Sequence, residues 1–228
     1  MKKTTFVALL LLSFQSFAND VTHSLQAIES EWASIYYNLP KDKKEEAFNA
    51  LLNKTTQLAN QFPNNPETLF WQAVIIATNA ELQDGFKALK AIHKSRDLLL
   101  EAVKINPETA NGSAYVTLGT LYYMVPKWPI AFGDSEKAEK MFQAALKINP
   151  NGIDANYYYG DFLLEKNQFQ EAQKYFEKAL STPSRAEQLF ADDKLKEEVK
   201  FALLNTKNRK LNGVRNAFLS LFNSASLK

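Results

Sequence analysis

Apolar residues recur along most of the chain at the three- and four-residue spacing of amphipathic helices, and no stretch alternates with the two-residue period of a strand. The pattern is clearest in residues 153–183. The second half of that stretch carries a regular packing face of Phe169, Ala172, Phe176 and Ala179. Gly160 falls on the first half, where a second helix must approach closely, and Asn167 falls in the turn between the two. Because proline cannot continue a helix, Pro183 ends this antiparallel pair.

The same pattern occurs earlier in the chain, and prolines separate its copies. The peptide Lys-Ile-Asn-Pro closes an apolar run at residues 104–107 and again, 43 residues later, at residues 147–150. The spacings between Pro63, Pro107, Pro150 and Pro183 are 44, 43 and 33 residues. The last spacing is close to the period of about 34 residues that is typical of tetratricopeptide repeats. We therefore predict an all-α, tetratricopeptide-repeat-like, right-handed solenoid of about nine or ten helices in antiparallel pairs, without a sheet.

The periodicity predicts a single helical-repeat domain over residues 19–228. The repeat pairs are expected at about residues 20–63, 66–107, 112–150 and 153–183. Pro40 breaks the first pair, which is degenerate. In the next pair Ala73 takes the glycine position, and the second helix is expected to begin near Phe86.

The sequence pattern of the C-terminal part predicts a capping helix followed by a short tail. Residues 191–207 indicate a capping helix with a polar face, which a terminal repeat needs because it would otherwise expose its inner surface. Asp192 and Asp193 are interpreted as the N-terminal cap of that helix. The short tail at residues 211–222 is amphipathic. It can dock on the last repeat or on a neighbouring subunit, or it can bind a membrane surface.

One repeat carries an insertion at residues 124–134, seven residues longer than the regular spacing allows. Its two prolines and one glycine exclude a continuous helix. Asp134 or the following Ser135 is expected to cap the next helix. Large apolar side chains such as Trp128 are costly to expose on a loose loop, so the insertion either packs on the edge of the solenoid or lines a ligand cavity.

The residue pattern at the N-terminus predicts that the protein is exported. Lys2 and Lys3 precede a short apolar run at residues 6–12, and small residues stand at positions 16 and 18. We therefore expect a signal peptide over residues 1–18, cut before Asn19, and a periplasmic protein; an uncut N-terminal anchor is the alternative. The sequence contains no cysteine, which excludes a lipoprotein cysteine, a disulfide and a thiolate ligand or nucleophile.

The charge balance argues against nucleic acid as a partner. The whole chain has a formal net charge of +2. Without Lys2 and Lys3 it would hold 25 basic and 25 acidic side chains, a formal net charge of zero. Phosphate binding needs a basic surface, which this composition does not supply.

Two longer motifs are more specific than the repeat pattern. Residues 111–134 read NGSAYVTLGTLYYMVPKWPIAFGD, and residues 149–163 read NPNGIDANYYYGDFL. Together with Leu-Phe-Ala-Asp-Asp at residues 189–193, they resemble the TRAP-transporter T-component (TatT-like) family. The resemblance implies a periplasmic helical-repeat protein that works beside a TRAP-type substrate-binding protein, binds a small organic or hydrophobic ligand, and forms a homo-oligomer. The best-described member of that family is a lipoprotein, and this chain has no cysteine to carry a lipid.

In repeats of this class the first helices line the concave face. Counting from the glycine positions predicts a groove of Phe70, Val74, Ala77, Val116, Thr120, Tyr123, Tyr157, Asp161 and Leu164. From this groove and the insertion we predict the ligand- or partner-binding residues Tyr122, Tyr123, Pro126, Trp128, Phe132, Tyr157 and Asp161. An apolar, tyrosine-rich wall of this kind suits an apolar ligand or a peptide. Burial between neighbouring helices is the alternative, and for Tyr159 it is the preferred one.

Catalytic motifs are lacking in the sequence. His23 and His93 are far apart, His93 is expected on a solvated helix face, and no zinc-protease, nucleophile-elbow or phosphate-loop motif is present. Glu29 and Glu31 fall on different helix faces. We predict a protein that is not an enzyme and needs no cofactor or metal. The leading hypothesis is a periplasmic binding protein that assists TRAP-type uptake, and the alternative is an envelope scaffold that holds a protein or peptide in its groove.

Overall fold

The computed structural model describes the backbone of residues 3–207 and the side chains of residues 21–206. This part of the chain folds into nine α-helices and two short 3-10 helices, at Thr109–Gly112 and Ala186–Gln188, and contains no strand. The α-helices are α1 (Lys3–Asn38), α2 (Lys41–Gln61), α3 (Pro66–Ala80), α4 (Gly85–Ile105), α5 (Ser113–Met124), α6 (Ser135–Ile148), α7 (Ile153–Glu165), α8 (Phe169–Ser181) and α9 (Leu189–Lys207). None of these helices is both long enough and apolar enough to cross a bilayer.

Consecutive helices pack in pairs, so the protein is an all-α, tetratricopeptide-repeat-like solenoid. The pairs are α1–α2, α3–α4, α5–α6 and α7–α8, and α9 packs on α8 and α7 as the cap. The break at Pro40 is confirmed, and α4 begins one residue before the predicted Phe86. Asn167 lies in the α7–α8 turn with a φ of 61°, a left-handed conformation that asparagine tolerates better than most residues.

A glycine facing a phenylalanine forms the packing seam within each of the last two pairs. A Cβ placed on Gly119 would lie 2.9 Å from the ring of Phe142, and one on Gly160 would lie 2.7 Å from the ring of Phe176. Both rings are completely buried. Because glycine has no side chain, the phenylalanine ring of the partner helix can pack directly against its backbone. This close approach explains why glycine occurs at this repeat position.

Side-chain caps begin several of the helices. Asn65 Oδ1 accepts from the backbone N–H of Glu67 at 2.9 Å at the start of α3. Asp134 Oδ1 accepts from the N–H groups of Glu136 and Lys137 at 3.1 and 3.0 Å, which confirms a cap at the end of the insertion. Each such bond satisfies a donor that the helix leaves without a partner.

The predicted cap of the last helix is wrong. Because α9 begins at Leu189, Asp192 lies inside its first turn and Asp193 follows directly, so neither residue precedes the helix. The Asp192 side chain is only 1% exposed and accepts hydrogen bonds from Arg185 instead. The two aspartates resembled a cap because they precede an apolar run, whereas the start of the helix is set by the 3-10 turn before it.

The first and last helices of the solenoid meet. The rings of Tyr37 on α1 and Phe190 on α9 lie edge to face, 6.1 Å apart. The Gln188 amide donates a hydrogen bond to the Glu29 carboxylate across 159 positions of the sequence. The solenoid is therefore closed into a ring of helices around its concave side.

The insertion packs against the outside of the solenoid through one ring. Phe132 lies 4.9 Å from the His93 ring and 5.6 Å from the Tyr122 ring, and the Arg96 guanidinium lies 4.4 Å from its centre. His93 is half-buried under this ring, which corrects the expected solvated position. The interpretation of residues 211–222 concerns a part of the chain outside the described residues.

Candidate ligand-binding cavity

A cavity of about 560 Å³ lies inside the ring of helices. It is lined by the first helix of every pair, namely α1, α3, α5 and the beginning of α7, and is closed by the second 3-10 helix and α9. Its volume falls within the range of roughly 300–1,000 Å³ that is usual for small-molecule sites. The repeat geometry and the two closing helices together turn the groove into a partly enclosed site that stays open to solvent on one side.

Five of the predicted groove residues line this cavity. Counting from the glycine positions correctly finds Phe70, Val74, Ala77, Val116 and Thr120. In the fourth pair the cavity instead meets Asp154 and Tyr158, at the first two turns of α7. The later turns of α7 are covered because α9 packs on them with Val199 and Ala202 fully buried.

A continuous aromatic surface forms one wall. The Trp32 ring stacks on Tyr36 with 5.3 Å between centroids and 9° between planes, and it lies 6.0 Å from Trp71. Phe70 meets Trp71 edge to face at 5.3 Å. Trp32 Nε1 donates to Thr78 Oγ1 at 3.1 Å, which fixes the indole in place. The wall thus combines apolar ring faces with a few polar groups.

Glu29 lies at the junction of the first and last helices. Burial raises the pKa of its carboxyl to about 7, although nearby Arg185 and the hydrogen bond from Gln188 act in the opposite direction. The positive charge of Arg185 is itself engaged, because its Nε and terminal nitrogen donate to the two carboxylate oxygens of Asp192 at 3.0 and 2.6 Å. A two-point contact of this kind holds the guanidinium in one orientation.

Polar contacts between successive repeats form the rim. Glu67 at the start of α3 accepts from the Ala110 N–H at 2.9 Å, and Ser113 at the start of α5 donates to Asp154 at 2.5 Å. Burial raises the pKa of Glu67, while the Ala110 hydrogen bond lowers it. These links place one carboxylate from the second pair and one from the fourth pair at the cavity.

The rim also contains an unusual backbone. Ala110, Asn111 and Gly112 are consecutive residues with positive φ values of 50°, 51° and 92°. The left-handed conformation is unfavourable for alanine, and such residues concentrate at functional sites. Ala110 and Asn111 both line the cavity, and Glu67 holds the Ala110 N–H.

None of the seven predicted site residues lines the cavity. Tyr122, Pro126, Trp128 and Phe132 belong to the insertion and its edge. Trp128 is 86% exposed and points away from the protein core, whereas Tyr122 is buried against Phe132. At Phe132 the insertion therefore packs on the edge of the solenoid, whereas the indole of Trp128 is exposed to solvent.

The other three predicted residues form buried polar contacts behind the cavity wall. Tyr123 is 5% exposed and donates a hydrogen bond to Asp161, which is 3% exposed. Burial, with the Asp161 charge next in size, raises the pKa of the Tyr123 hydroxyl. Tyr157 contacts Phe176 at 6.1 Å and hydrogen-bonds Glu198 on α9. These residues connect helices, and the expectation that they bind a ligand remains a prediction.

Several cavity residues were not predicted, chiefly Trp32, Trp71, Glu29 and Arg185. The sequence does indicate the two tryptophans. Trp32 and Tyr36 are four positions apart on one face of α1, and Trp71 directly follows the predicted groove residue Phe70. No local signal marks Glu29 or Arg185. They reach the cavity only because the chain ends meet, which depends on the superhelical path of all the helices.

The arrangement is suited to binding more than to chemistry. The described residues contain no group of three or more side chains that could hold a metal ion. Glu29, with its raised pKa, could move a proton, but the hydrogen bond that it accepts comes from the Gln188 amide, which is not a nucleophile. The aromatic wall and the carboxylates are instead the features of a recognition site.

The comparisons with known proteins agree with the architecture. No curated protein matches the chain. Residues 130–190, which span the end of the insertion, α6, α7, α8 and the start of α9, match the family model of the tetratricopeptide repeat. Repeats of this kind generally serve as protein–protein interaction scaffolds, and catalysis is not typical of them. The chain therefore contains a tetratricopeptide repeat within residues 130–190.

Proposed function

We propose that this protein is a periplasmic binding protein that holds a small organic ligand in the cavity and assists a TRAP-type solute uptake system. The observation that carries the proposal is the partly enclosed volume of about 560 Å³ with its aromatic wall. This volume and the aromatic lining are typical of small-molecule sites.

The role beside a TRAP substrate-binding protein rests on the sequence motifs at residues 111–134 and 149–163. The insertion in the first motif leaves Trp128 exposed, and an exposed tryptophan is a frequent anchor of protein interfaces. In this proposal the insertion contacts the substrate-binding protein, while the ligand occupies the cavity on the other side of α5. The two tasks would thus use different surfaces.

Export is the third component of the proposal. The described cavity residues begin at Thr22, beyond the expected cleavage site before Asn19, so removal of residues 1–18 would leave all of them in the mature chain. N-terminal sequencing of the protein from a periplasmic fraction is expected to begin at Asn19. Recovery of the protein with residue 1 intact in a membrane fraction would support the uncut anchor instead.

Blocking the cavity tests ligand binding directly. The variant Ala77→Trp would place an indole inside the cavity, and Lys90→Trp would add the same ring to the exposed outer face of the neighbouring helix. A calorimetric screen would cover small organic acids, amines, alcohols and sugars. We expect a compound from this screen to bind the parent protein and Lys90→Trp but not Ala77→Trp. If no compound binds the parent protein, or if Ala77→Trp binds equally well, the cavity is not the site.

A general envelope scaffold is the second candidate, and the match to the tetratricopeptide repeat favours it. It predicts that a protein partner is recovered from the periplasm and that no small molecule competes with it. Recovery of a TRAP substrate-binding protein, lost in Trp128→Ala but kept in Ala77→Trp, would support the transport role over the general scaffold.

A further inference from the structure

The charge of the cavity is strongly one-sided. Among the described residues that line it, the carboxylates are Glu29, Glu67, Glu81, Asp154, Glu187 and Asp192, and the basic side chain is Arg185. Arg185 is paired with Asp192 through two hydrogen bonds. Lys44 lies beside the cavity and its charge acts to lower the pKa of Glu81, so that carboxylate is partly compensated as well. Four carboxyl groups thus remain around one small volume once these two pairs are set aside. A site with this balance repels anions and attracts cations.

Three of these carboxylates accept hydrogen bonds from neutral donors. Glu29 accepts from the Gln188 amide, Glu67 from the Ala110 N–H, and Asp154 from the Ser113 hydroxyl. Such donors orient a carboxylate without neutralising it. The cost of keeping charge in this enclosed space is visible in the pKa of Glu29, which burial raises to about 7. A bound cation would relieve that cost.

The aromatic wall suits the same kind of ligand. Ring faces carry a negative quadrupole that attracts ammonium groups, and tryptophan is the strongest of the side chains in this respect. Trp32, Tyr36, Trp71 and Phe70 form a connected surface with centroid separations of 5.3, 6.0 and 5.3 Å. An ammonium group with an apolar body could place its charge near the carboxylates and its body against the rings.

We infer that the cavity binds an organic cation, that is, a primary or quaternary ammonium group attached to an apolar body, in preference to an organic anion. The inference depends on the proposed function, because it names the class of ligand for the same cavity. Charge, shape and aromatic lining select the ligand together, so neither carboxylates nor rings act alone.

Three matched compounds test the inference at pH 8. They are 2-phenylethylammonium, 2-phenylethanol and phenylacetate, which share an aromatic ring and differ in charge. By calorimetry or ligand-observed NMR with the full mature chain, we expect the ammonium compound to bind at least about tenfold more tightly than the alcohol, and phenylacetate to bind most weakly. Equal binding of all three, or preferred binding of phenylacetate, would overturn the cation preference and leave the ligand cavity intact. Absence of binding by all three, together with an empty result from the wider screen, would overturn both proposals.

Two glutamates on the same helix supply matched variants. Glu29 lies at the cavity, whereas Glu31 faces outward and pairs with Lys54 at 2.7 Å. We expect Glu29→Gln to weaken 2-phenylethylammonium binding about five- to tenfold and to leave 2-phenylethanol binding unchanged. Glu31→Gln should leave the affinity for both compounds unchanged. A loss of affinity for both compounds in Glu29→Gln would indicate a structural role, and equal ammonium affinity in both variants would overturn the charge argument.

Discussion

The packing seam within the helix pairs and the cavity between them are built from the same repeat but have opposite characters. In the seam, glycine faces a completely buried phenylalanine, as in Gly160 and Phe176, and no space remains. The cavity leaves about 560 Å³ open and places carboxylates beside aromatic rings. The seam therefore supplies stability, whereas the cavity retains groups that are costly to bury and are useful for recognition.

The largest effect is expected in the seam. Phe176→Ala removes a ring with 0% exposure and should lower the free energy of unfolding by about 3–5 kcal/mol, because it deletes apolar contacts and leaves a cavity. Denaturation in urea would measure the change. Phe86→Ala makes the same substitution at a side chain with 77% exposure and should cost less than about 0.5 kcal/mol. A loss below about 1 kcal/mol for Phe176→Ala would refute the assignment of the seam.

The carboxyl groups at the cavity should make the stability of the protein depend on pH. The pKa of Glu29 is about 7 in the folded protein and 4.5 in the reference state, so the folded protein binds the proton more tightly. Stability from this group is present at low pH and is lost as pH rises from about 4.5 towards 7. Glu67 and Glu198, whose pKa values burial also raises, act in the same direction.

We therefore expect the protein to be more stable at pH 5 than at pH 8, with a contribution from Glu29 of about 1–2 kcal/mol after discounting for its partial exposure. Thermal unfolding at the two values would measure the difference. Glu29→Gln should reduce it, and Glu31→Gln should not. An unchanged pH dependence in Glu29→Gln would mean that Glu29 is hydrated and ionised in the fold.

The smallest effect on stability is expected outside both regions. Trp128 is 86% exposed on the insertion, so Trp128→Ala should change the free energy of unfolding by less than about 0.5 kcal/mol. The same variant should lose the protein partner while keeping its affinity for 2-phenylethylammonium, as measured by pull-down and calorimetry. Phe132→Ala, which removes the ring packed between His93 and Arg96, should destabilise the edge more.

The local architecture could be predicted because its causes are local. Pro40 and Asn167 lie at breaks between helices for backbone reasons, and Gly160 with Phe176 repeats the pattern of Gly119 with Phe142. The helical spacing also identified which helices line the concave side, and five of the groove residues followed from it. The register failed in α7, where α9 covers Tyr157 and Asp161. That covering is a contact between distant parts of the chain.

The sequence by itself determined the helices, their pairing and the close seams, because helical periodicity, proline and glycine act over a few residues. Only the tertiary structure decided that the groove narrows to a partly enclosed cavity. Gln188 reaches Glu29, and Phe190 reaches Tyr37, after the small rotations between all helix pairs have added up along the chain. The same summation brings Trp32, Trp71 and the carboxylates around one volume, so the binding site exists only where the two ends of the solenoid meet.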